Sequence, residues 1–265
     1  MQQDHMVSAV IPTVGRVETL AMTLYSLATQ SYPVSEVILL DEAKKPVSES
    51  FVVNQALDLL SLAGADVKIL RRRHRRGIGA ARLELAREAS WNWVLMVDDD
   101  VALRPDCLDG LMEVLTASER AWAVPFCFLV NAALELDGYT DTKVSCTDVD
   151  VRKWTERYPW FVPYFNYSEI FTQEIEVAGT QAILWKKKEL LRDECVRVQA
   201  LGRLPREDTY LTRVTGPGVF VSSARCDHFE HESQVTRGQW QNSMFYRIHT
   251  AIMKDPKGFV ELMRG

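Results

Sequence analysis

The stretch WVLMVDDDVALRP, residues 93–105, runs from an apolar segment directly into three consecutive aspartates. Five apolar residues without polar alternation predict a strand that is buried on both faces of a sheet. Adjacent carboxylates repel one another, and burying them without a partner is costly. The aspartates at 98–100 are therefore a solvated turn, an acidic helix start, or a site that holds a divalent cation.

Three apolar segments of the same kind precede this one, and each of the four is followed by residues with helical periodicity. The predicted strands cover 6–12, 36–41, 66–70 and 91–97, and the predicted helices cover 16–29, 48–62, 78–89 and 106–115. Apolar strands that alternate with helices predict an α/β fold. Its sheet should be mostly parallel and doubly wound, with helices on both faces.

The ligands of such sheets bind in the crevice beyond the carboxyl ends of the strands. Thr13, Asp41, the basic run RRRHRR at 71–76 and the aspartates at 98–100 all stand at or just after a predicted strand end. We therefore expect them to meet at one edge of the sheet. The basic run is a solvated loop, a nucleic-acid contact, or, together with the helix start that follows it, a grip for a nucleotide diphosphate.

The second half of the chain is less regular. An apolar run covers 121–130, and 174–190 is typical of a strand that leads into a helix. Between them, the aromatic residues at 154–171 are either core packing or a platform for stacking sugar rings or bases. Neither a repeat nor a low-complexity linker is present in the sequence, which predicts one domain over residues 1–265.

The composition sets limits on partners and compartment. A net charge of −5 gives no general reason to expect nucleic acid or an anionic membrane. The five cysteines are scattered and include no C-x-x-C pair, which indicates reduced thiols. The start MQQDHM is not typical of a signal peptide, and no apolar run approaches the roughly 18 residues of a membrane span. We expect a cytoplasmic protein without an integral membrane segment.

Two further motifs carry groups that could take part in catalysis. In LPREDTYL, residues 204–211, Glu207 and Asp208 are either helix-start acids or a general base with a neighbour that positions it. In CDHFEHES, residues 226–233, His228 and His231 are either structural or metal ligands. An imidazole that joins carboxylates favours Mn²⁺ over Mg²⁺.

Taken together, the motifs resemble those of one enzyme family. In chain order they are VSAVIPTVGR, SLATQSYPVSEVILLDEA, GIGAARLELA, WVLMVDDDVALRPDCL, VAGTQAILWKKKELL, REDTYLTRV and CDHFEH. Over residues 6–232 the chain is similar to the family 2 glycosyltransferases of the A-type fold. Several motifs in matching order are far more specific than any one of them.

The resemblance implies a role for each matching residue. The nucleotide pocket would be formed by Pro12, Thr13, Arg16, Asp41, Glu42, Arg76, Gly79 and Arg82. Asp98 would lie near the ribose, with Asp99 between it and Asp100, and the metal would be held by Asp100 and His228, with Asp98 beside them and His231 as the second histidine candidate. Asp208 would be the catalytic base, with Glu207 next to it.

The resemblance also implies an activity. The expected reaction is a metal-dependent, inverting transfer of a sugar from a nucleotide-diphosphate donor, with a UDP-sugar as the first candidate, to an acceptor hydroxyl. Mn²⁺ or Mg²⁺ would be the cofactor, residues 1–120 the donor-binding half, and 121–265 the acceptor-binding half with an aromatic-rich insert at 150–172. The alternatives are a nucleotidylyltransferase and an inactive nucleotide-sugar-binding module.

The sequence departs from the family pattern at the nucleotide pocket. Val14 and Gly15 replace the usual aromatic–Asn pair, and Ala43 and Lys44 replace a Gly–Ser pair, so the nucleobase stays open. For the acceptor, a glycan or a small molecule is favoured. A nucleic acid, such as a modified base that carries a hydroxyl, is the second candidate because of the basic run.

Overall fold

The computed structural model describes residues 5–130, 170–179, 181–202 and 207–229, together with 252, 254 and 255. Its first elements are β1 Val7–Thr13, α1 Val17–Ala28, β2 Glu36–Asp41, α2 Phe51–Leu62, β3 Asp66–Arg71, α3 Ile78–Glu88, β4 Trp93–Val97, β5 Val101–Leu103 and α4 Cys107–Thr116. They are followed by β6 Trp122–Val130, β7 Thr172–Ile175, β8 Ala182–Lys186, α5 Lys187–Leu190, α6 Asp193–Val196, α7 Glu207–Thr215 and β9 Gly218–Phe229. The predicted strands and helices of the first half are all present, with ends within three residues of the prediction.

The strands form one nine-stranded sheet in the order β3-β2-β1-β4-β8-β6-β9-β5, and β7 pairs with β9 beside that path. The first four strands are parallel, as predicted. Beyond β4 the sheet is mixed, because β8 runs antiparallel to both β4 and β6 while β6 and β9 are parallel. The expected α/β sheet is confirmed, and its continuous parallel part is formed by β1 to β4.

Alternate residues of the central strands point to opposite sides of the sheet, and apolar residues of helices pack against them on both faces. Ile11 and Leu39 pack with Leu24 of α1 in one apolar cluster. Val10 and Ile38 pack in a second cluster, which also contains residues of α3 and α7. Strand β3 differs from the prediction of full burial, because it lies at the edge of the sheet and is partly exposed.

The register of the parallel strands aligns their carboxyl ends. Thr13 is paired with Asp41, and Asp41 is paired with Arg71, so these three residues form one row across the sheet. Strand β4 is in register with β1 from Trp93 to Met96, which places the three aspartates just beyond the same edge. One edge of the sheet thus collects the polar residues, as the sequence predicts.

Two expectations from composition can be compared with the structure. No helix in the described part of the chain is long and apolar enough to cross a membrane. The cysteines within the described ranges, Cys107, Cys127, Cys195 and Cys226, are buried and are not joined by disulfides.

The opposite end of the sheet is held by a buried carboxylate. Glu36 accepts hydrogen bonds from Oγ of Ser8 at 2.6 Å, from Nζ of Lys68 at 2.5 Å, and from the backbone N of Ser90 at 2.8 Å. Burial alone would raise the pKa of Glu36, but the bonds from Lys68, Ser8 and Ser90 outweigh it and hold the pKa below its usual value. This network ties β1, β2 and β3 to the loop before β4.

We expect Glu36→Gln to lower the free energy of unfolding at neutral pH by about 1.5–3 kcal/mol, since hydrogen bonds to a charged group are lost. Because folding lowers the pKa of Glu36, its contribution is complete above the ordinary value of 4.5 and is lost as the pH falls through the folded value. Urea unfolding at a series of pH values should show the two proteins converging in acid.

The matched control is Glu49→Gln, because Glu49 is exposed and pairs with exposed Lys45. That change should alter stability little at any pH. A stability difference for Glu36→Gln that stays constant into acid would contradict the assignment.

Candidate active site

The three aspartates lie in the short connection between β4 and β5. The backbone N of Asp98 donates to the carbonyl O of Gln181 at 3.0 Å, and the backbone N of Phe229 donates to the carbonyl O of Asp100 at 2.8 Å. The side chains of Asp99 and Asp100 are only 1% and 2% exposed. They are therefore not a solvated turn, and they need partners.

Arg16 supplies the positive charge for two of them. One guanidinium nitrogen of Arg16 contacts Asp99 and the other contacts Asp100, while Oγ1 of Thr13 donates to Oδ2 of Asp99 at 2.6 Å. Gly15 allows the chain to turn here, because its φ is +106° and a Cβ atom would lie 2.8 Å from Cβ of Ala43. The glycine in place of the family's asparagine is thus explained by the backbone.

Arg82 supplies the charge for the third aspartate. This side chain of α3 is only 3% exposed, with Nη2 lying 2.6 Å from Oδ1 of Asp98 and Nε 3.4 Å from Oε1 of Glu207. Gly79, one turn earlier, is buried beneath the start of α7, and a Cβ there would lie 3.2 Å from Cβ of Glu207. Gly79 therefore lets α3 approach α7 closely enough for Arg82 to connect the two halves of the site.

The carboxylates of the site differ in their protonation. Burial raises the pKa of Asp98 and of Glu207 to about 7, although Arg82 acts in the opposite direction on both. Burial also raises the pKa of Asp99, against Arg16 and Thr13. For Asp100 burial is outweighed by His228 and Arg16, so its pKa is below the usual value. Asp100 is thus the member of the triplet whose pKa is lowered by its partners.

His228 comes to Asp100 through the pairing of two distant strands. In the antiparallel pair of β5 and β9, His228 is opposite Val101, the residue after Asp100. Its Nε2 lies 3.4 Å from Oδ1 of Asp100, an oxygen that is buried and has no hydrogen bond within the described part of the chain. His231, the second histidine candidate, lies outside the described residues, as do residues 150–169 of the aromatic-rich insert.

A divalent cation fits this pair. In the ranges that the structure describes, no three His, Cys, Asp or Glu side chains are grouped to hold a metal ion. Asp100 and His228 nevertheless present one carboxylate oxygen and one imidazole nitrogen towards each other, and Mg²⁺ or Mn²⁺ in nucleotide sites is often held by one or two protein ligands plus substrate phosphates. The donor set therefore suits a cation that is shared with a diphosphate.

At the ends of β1 and β2, Asp41 is occupied by its own loop. Its carboxylate accepts from the backbone N of Ala43 at 2.9 Å and of Val47 at 3.0 Å, and Nη1 of Arg71 lies 2.9 Å away. Glu42 lies 3.7 Å from Arg72, and burial raises its pKa. The sequence analysis did not predict the ion pair between Asp41 and Arg71. The two residues end neighbouring parallel strands, and that shared position could have indicated the pair.

A cavity of about 500 Å³ adjoins this loop. Its lining includes the apolar residues Val14, Val17 and Pro46. It also includes the cationic residues Lys44, Lys45 and Arg75. Of the residues predicted to line the nucleotide pocket, Pro12 is half-buried and Arg76 is exposed. The sequence analysis noted four of the lining residues, Val14, Gly15, Ala43 and Lys44, as departures from the family pattern, but it did not predict the cavity itself.

Glu207 and Asp208 begin α7, as the acidic start of the motif predicts. Glu207 is buried against Arg82, whereas Asp208 is half-buried and its Oδ1 accepts from the backbone N of Thr209 at 2.6 Å. The two acids therefore face different surroundings, with Glu207 inside the charge network and Asp208 at its margin.

A comparison with known families bears on these residues. The model of the family described as glycosyl transferase family 2 matches residues 8–179, which is more than half of the chain. The chain belongs to glycosyltransferase family 2. A search of curated proteins finds no match.

Solved structures show that the chain has the A-type glycosyltransferase fold. GalNAc-T7 with UDP, GalNAc and Mn²⁺ aligns with a TM-score of 0.61 at 14% identity, over 85% of this chain and 44% of that one. TarS of S. aureus with UDP-GlcNAc gives 0.54 at 15% identity, over 86% and 59%. The mannosyltransferase PcManGT from Pyrobaculum calidifontis with GDP-Man and Mn²⁺ gives 0.52 at 16% identity, over 92% and 60%. The chain thus spans about half of the length of these proteins.

We expect Arg82→Met to lower the free energy of unfolding by about 3–5 kcal/mol, because it leaves buried Glu207 and half-buried Asp98 without their cation. Urea unfolding at neutral pH measures the change. Arg213→Met is the matched control in the same part of the fold, since Arg213 forms a surface pair with Glu176 at 2.9 Å. That pair should contribute about 0–1 kcal/mol. Equal losses in the two variants would contradict the role assigned to Arg82.

Proposed function

We propose that the protein transfers a sugar from a nucleotide-diphosphate donor to an acceptor hydroxyl with inversion at the anomeric carbon, and that the reaction depends on a divalent cation. The observation that carries this proposal is the triplet at 98–100, with Asp99 and Asp100 buried and Asp98 half-buried, which Arg16, Arg82 and His228 surround at the crevice edge of the sheet. Membership of glycosyltransferase family 2 supports it. The fold neighbours that hold UDP or GDP-Man with Mn²⁺ support it as well.

The donor would lie along the row of strand ends in residues 1–120. The nucleoside is placed between the cavity beside Val14 and the aspartates, with Thr13 and Asp98 near its sugar. Arg16 is the side chain at this edge whose fork suits phosphate oxygens, since guanidinium donors match such oxygens two at a time. A UDP-sugar is the first candidate donor, in accord with two of the fold neighbours.

The cation, Mn²⁺ or Mg²⁺, would be held by Asp100 and His228, with Asp98 beside them. Bound there, it supplies neutralisation of the charge that develops on the leaving diphosphate. The low pKa of Asp100 suits this assignment because a metal ligand must be deprotonated.

Asp208 is assigned as the general base. It removes the proton of the acceptor hydroxyl while that oxygen forms a bond to the anomeric carbon, and the bond from this carbon to the diphosphate breaks on the opposite side. Glu207 does not reach outward but fixes the start of α7 through Arg82. Both acids belong to residues 121–265, which we assign to the acceptor.

For the acceptor we propose a glycan or a small molecule that carries a hydroxyl. A nucleic acid is the second candidate, and the observation that favours it is the basic loop after β3. Arg71 and Arg72 of this loop face carboxylates, whereas Arg73, Arg75 and Arg76 are exposed. Exposed arginines beside the crevice suit a phosphate backbone.

The donor side can be tested by the thermal stability of the purified protein with UDP-, GDP-, dTDP- and CDP-sugars, each with and without Mn²⁺. We expect one nucleotide class to raise the melting temperature, with a larger rise when Mn²⁺ is present. Asp100→Ala should remove the Mn²⁺-dependent part, and Asp109→Ala, at an exposed position of α4, should not. Formation of pyrophosphate and a nucleotide sugar from a nucleoside triphosphate and a sugar phosphate would instead favour nucleotidylyl transfer. Stabilisation without any turnover would favour an inactive module.

With a donor in hand, Asp208→Asn should lower kcat by about 10²–10⁴-fold, which is the usual contribution of a general base. The affinity for the donor should stay within about twofold of the wild type, since Asp208 makes no contact that the donor requires. Steady-state kinetics and calorimetry provide the two measurements. Asp193→Asn, at an exposed position of α6, is the control. If donor affinity falls together with kcat, Asp208 is a binding residue and not the base.

A further inference from the structure

Arg16 already occupies a carboxylate that the proposed function assigns to the cation. Its fork lies across Asp99 and Asp100, and one of its nitrogens contacts Oδ2 of Asp100. The other oxygen of Asp100 faces His228. The guanidinium and a cation at this pair would thus compete for one aspartate.

The exposure of the three side chains shows which of them is able to move. Asp99 and Asp100 are held inside the edge of the sheet at 1% and 2% exposure, whereas Arg16 is 27% exposed and comes from the turn just before α1. Asp99 keeps the hydrogen bond from Thr13 when Arg16 leaves. Asp100 would need another cation, because a buried carboxylate without a counter-ion is costly.

The other arginine of the site does not have this freedom. Arg82 is 3% exposed and lies between Asp98 and Glu207, so its removal would leave a buried and a half-buried carboxylate together. The two arginines therefore differ in kind. Arg82 is a fixed part of the fold, and Arg16 faces the crevice where a diphosphate would enter.

We propose that Arg16 is an exchangeable counter-ion that makes the binding of the divalent cation and of the nucleoside diphosphate depend on each other. The inference rests on the proposed function, since it assumes a cation at Asp100. A cation alone has to displace Arg16 and leaves its guanidinium without an anion. When a diphosphate is present, the fork transfers from the aspartates to phosphate oxygens, which it fits equally well. The two ligands then bind with positive cooperativity.

A rigid structural role for Arg16 leads to a different expectation. If its contacts with Asp99 and Asp100 persisted in every state, removing Arg16 would lower stability without tightening the binding of a cation. The affinity for Mn²⁺ in the absence of nucleotide therefore separates the two roles, and it does not depend on enzyme activity.

The experiment measures Mn²⁺ binding to the whole protein by the electron paramagnetic resonance signal of free Mn²⁺, alone and with saturating UDP or GDP. Titrations of Mn²⁺ with each nucleotide alone correct for the complex formed in solution. The proteins are the wild type, Arg16→Gln, Arg16→Lys, and Arg213→Gln as control. Arg213 has the same chemistry, since it pairs with Glu176 at 2.9 Å, but it lies at the surface and does not touch the triplet.

In the wild type we expect weak binding of Mn²⁺ alone and a tightening by the nucleotide of about 5- to 150-fold, the usual range of coupling between sites. Arg16→Gln should bind Mn²⁺ alone about tenfold more tightly than the wild type, and the effect of the nucleotide should shrink by the same factor. Arg16→Lys keeps the charge without the two-pronged contact and should lie between them. Arg213→Gln should match the wild type.

Two outcomes would overturn the inference. Equal affinity of the wild type and both Arg16 variants for Mn²⁺ alone rejects the exchange, while nucleotide-dependent Mn²⁺ binding in the same titrations still supports the proposed function. Absence of Mn²⁺ binding in every protein, with and without nucleotide, rejects the metal site and the inference together. If Arg16→Gln does not fold, as judged by circular dichroism, Arg16→Lys alone decides by the same comparison.

Discussion

The candidate site depends on the contact of one buried guanidinium, that of Arg82, with carboxylates from two parts of the chain. Asp98 follows β4, Glu207 begins α7, and both lie within 3.4 Å of Arg82 on α3. Without this cation, buried Glu207 and half-buried Asp98 would not remain together as carboxylates. The close approach of α3 and α7 requires Gly79, where any side chain would meet Val198 and Glu207. Packing and electrostatics are therefore joined at this point, and the proposed base beside Glu207 is positioned by both.

Burial and nearby charges also shift the pKa values of the three aspartates in different directions. Burial acts on all of them, but the partners differ, so the pKa of Asp98 rises to about 7 while that of Asp100 falls below its usual value. In a solvated turn the three carboxylates would have similar pKa values, and none of them would be favoured as a ligand for a cation. The surrounding residues, Arg16 from the β1 turn, Arg82 from α3 and His228 from β9, come from three separate elements. This difference in pKa is thus a property of the tertiary structure.

How far the sequence predicts this arrangement follows from the range of the interactions. The first four strands and their helices were predicted from local periodicity, and the strand ends that meet at one edge followed from parallel pairing. The mixed half of the sheet was not predicted, because short apolar runs do not show which strand they pair with. The sequence motif makes His228 and His231 candidate ligands and the family resemblance favours His228, but its place beside Asp100 depends on the pairing of β5 with β9. The sequence does not predict the contacts of Arg16, Arg71 and Arg82 either, because it contains many arginines and does not show which carboxylate each of them contacts.

The loop after β2 bears on how a nucleobase would be recognised. In the structure Asp41 accepts two backbone hydrogen bonds and pairs with Arg71, so a base that used this carboxylate would have to break the loop's own contacts. We infer that Asp41 shapes the pocket and that direct contact with a base falls to Glu42 and the cavity wall. With Val14 in place of an aromatic residue, that wall offers apolar contact without a ring for stacking. Recognition would then rest more on the fit of the cavity and on the cationic side chains beside it than on a stacked pair.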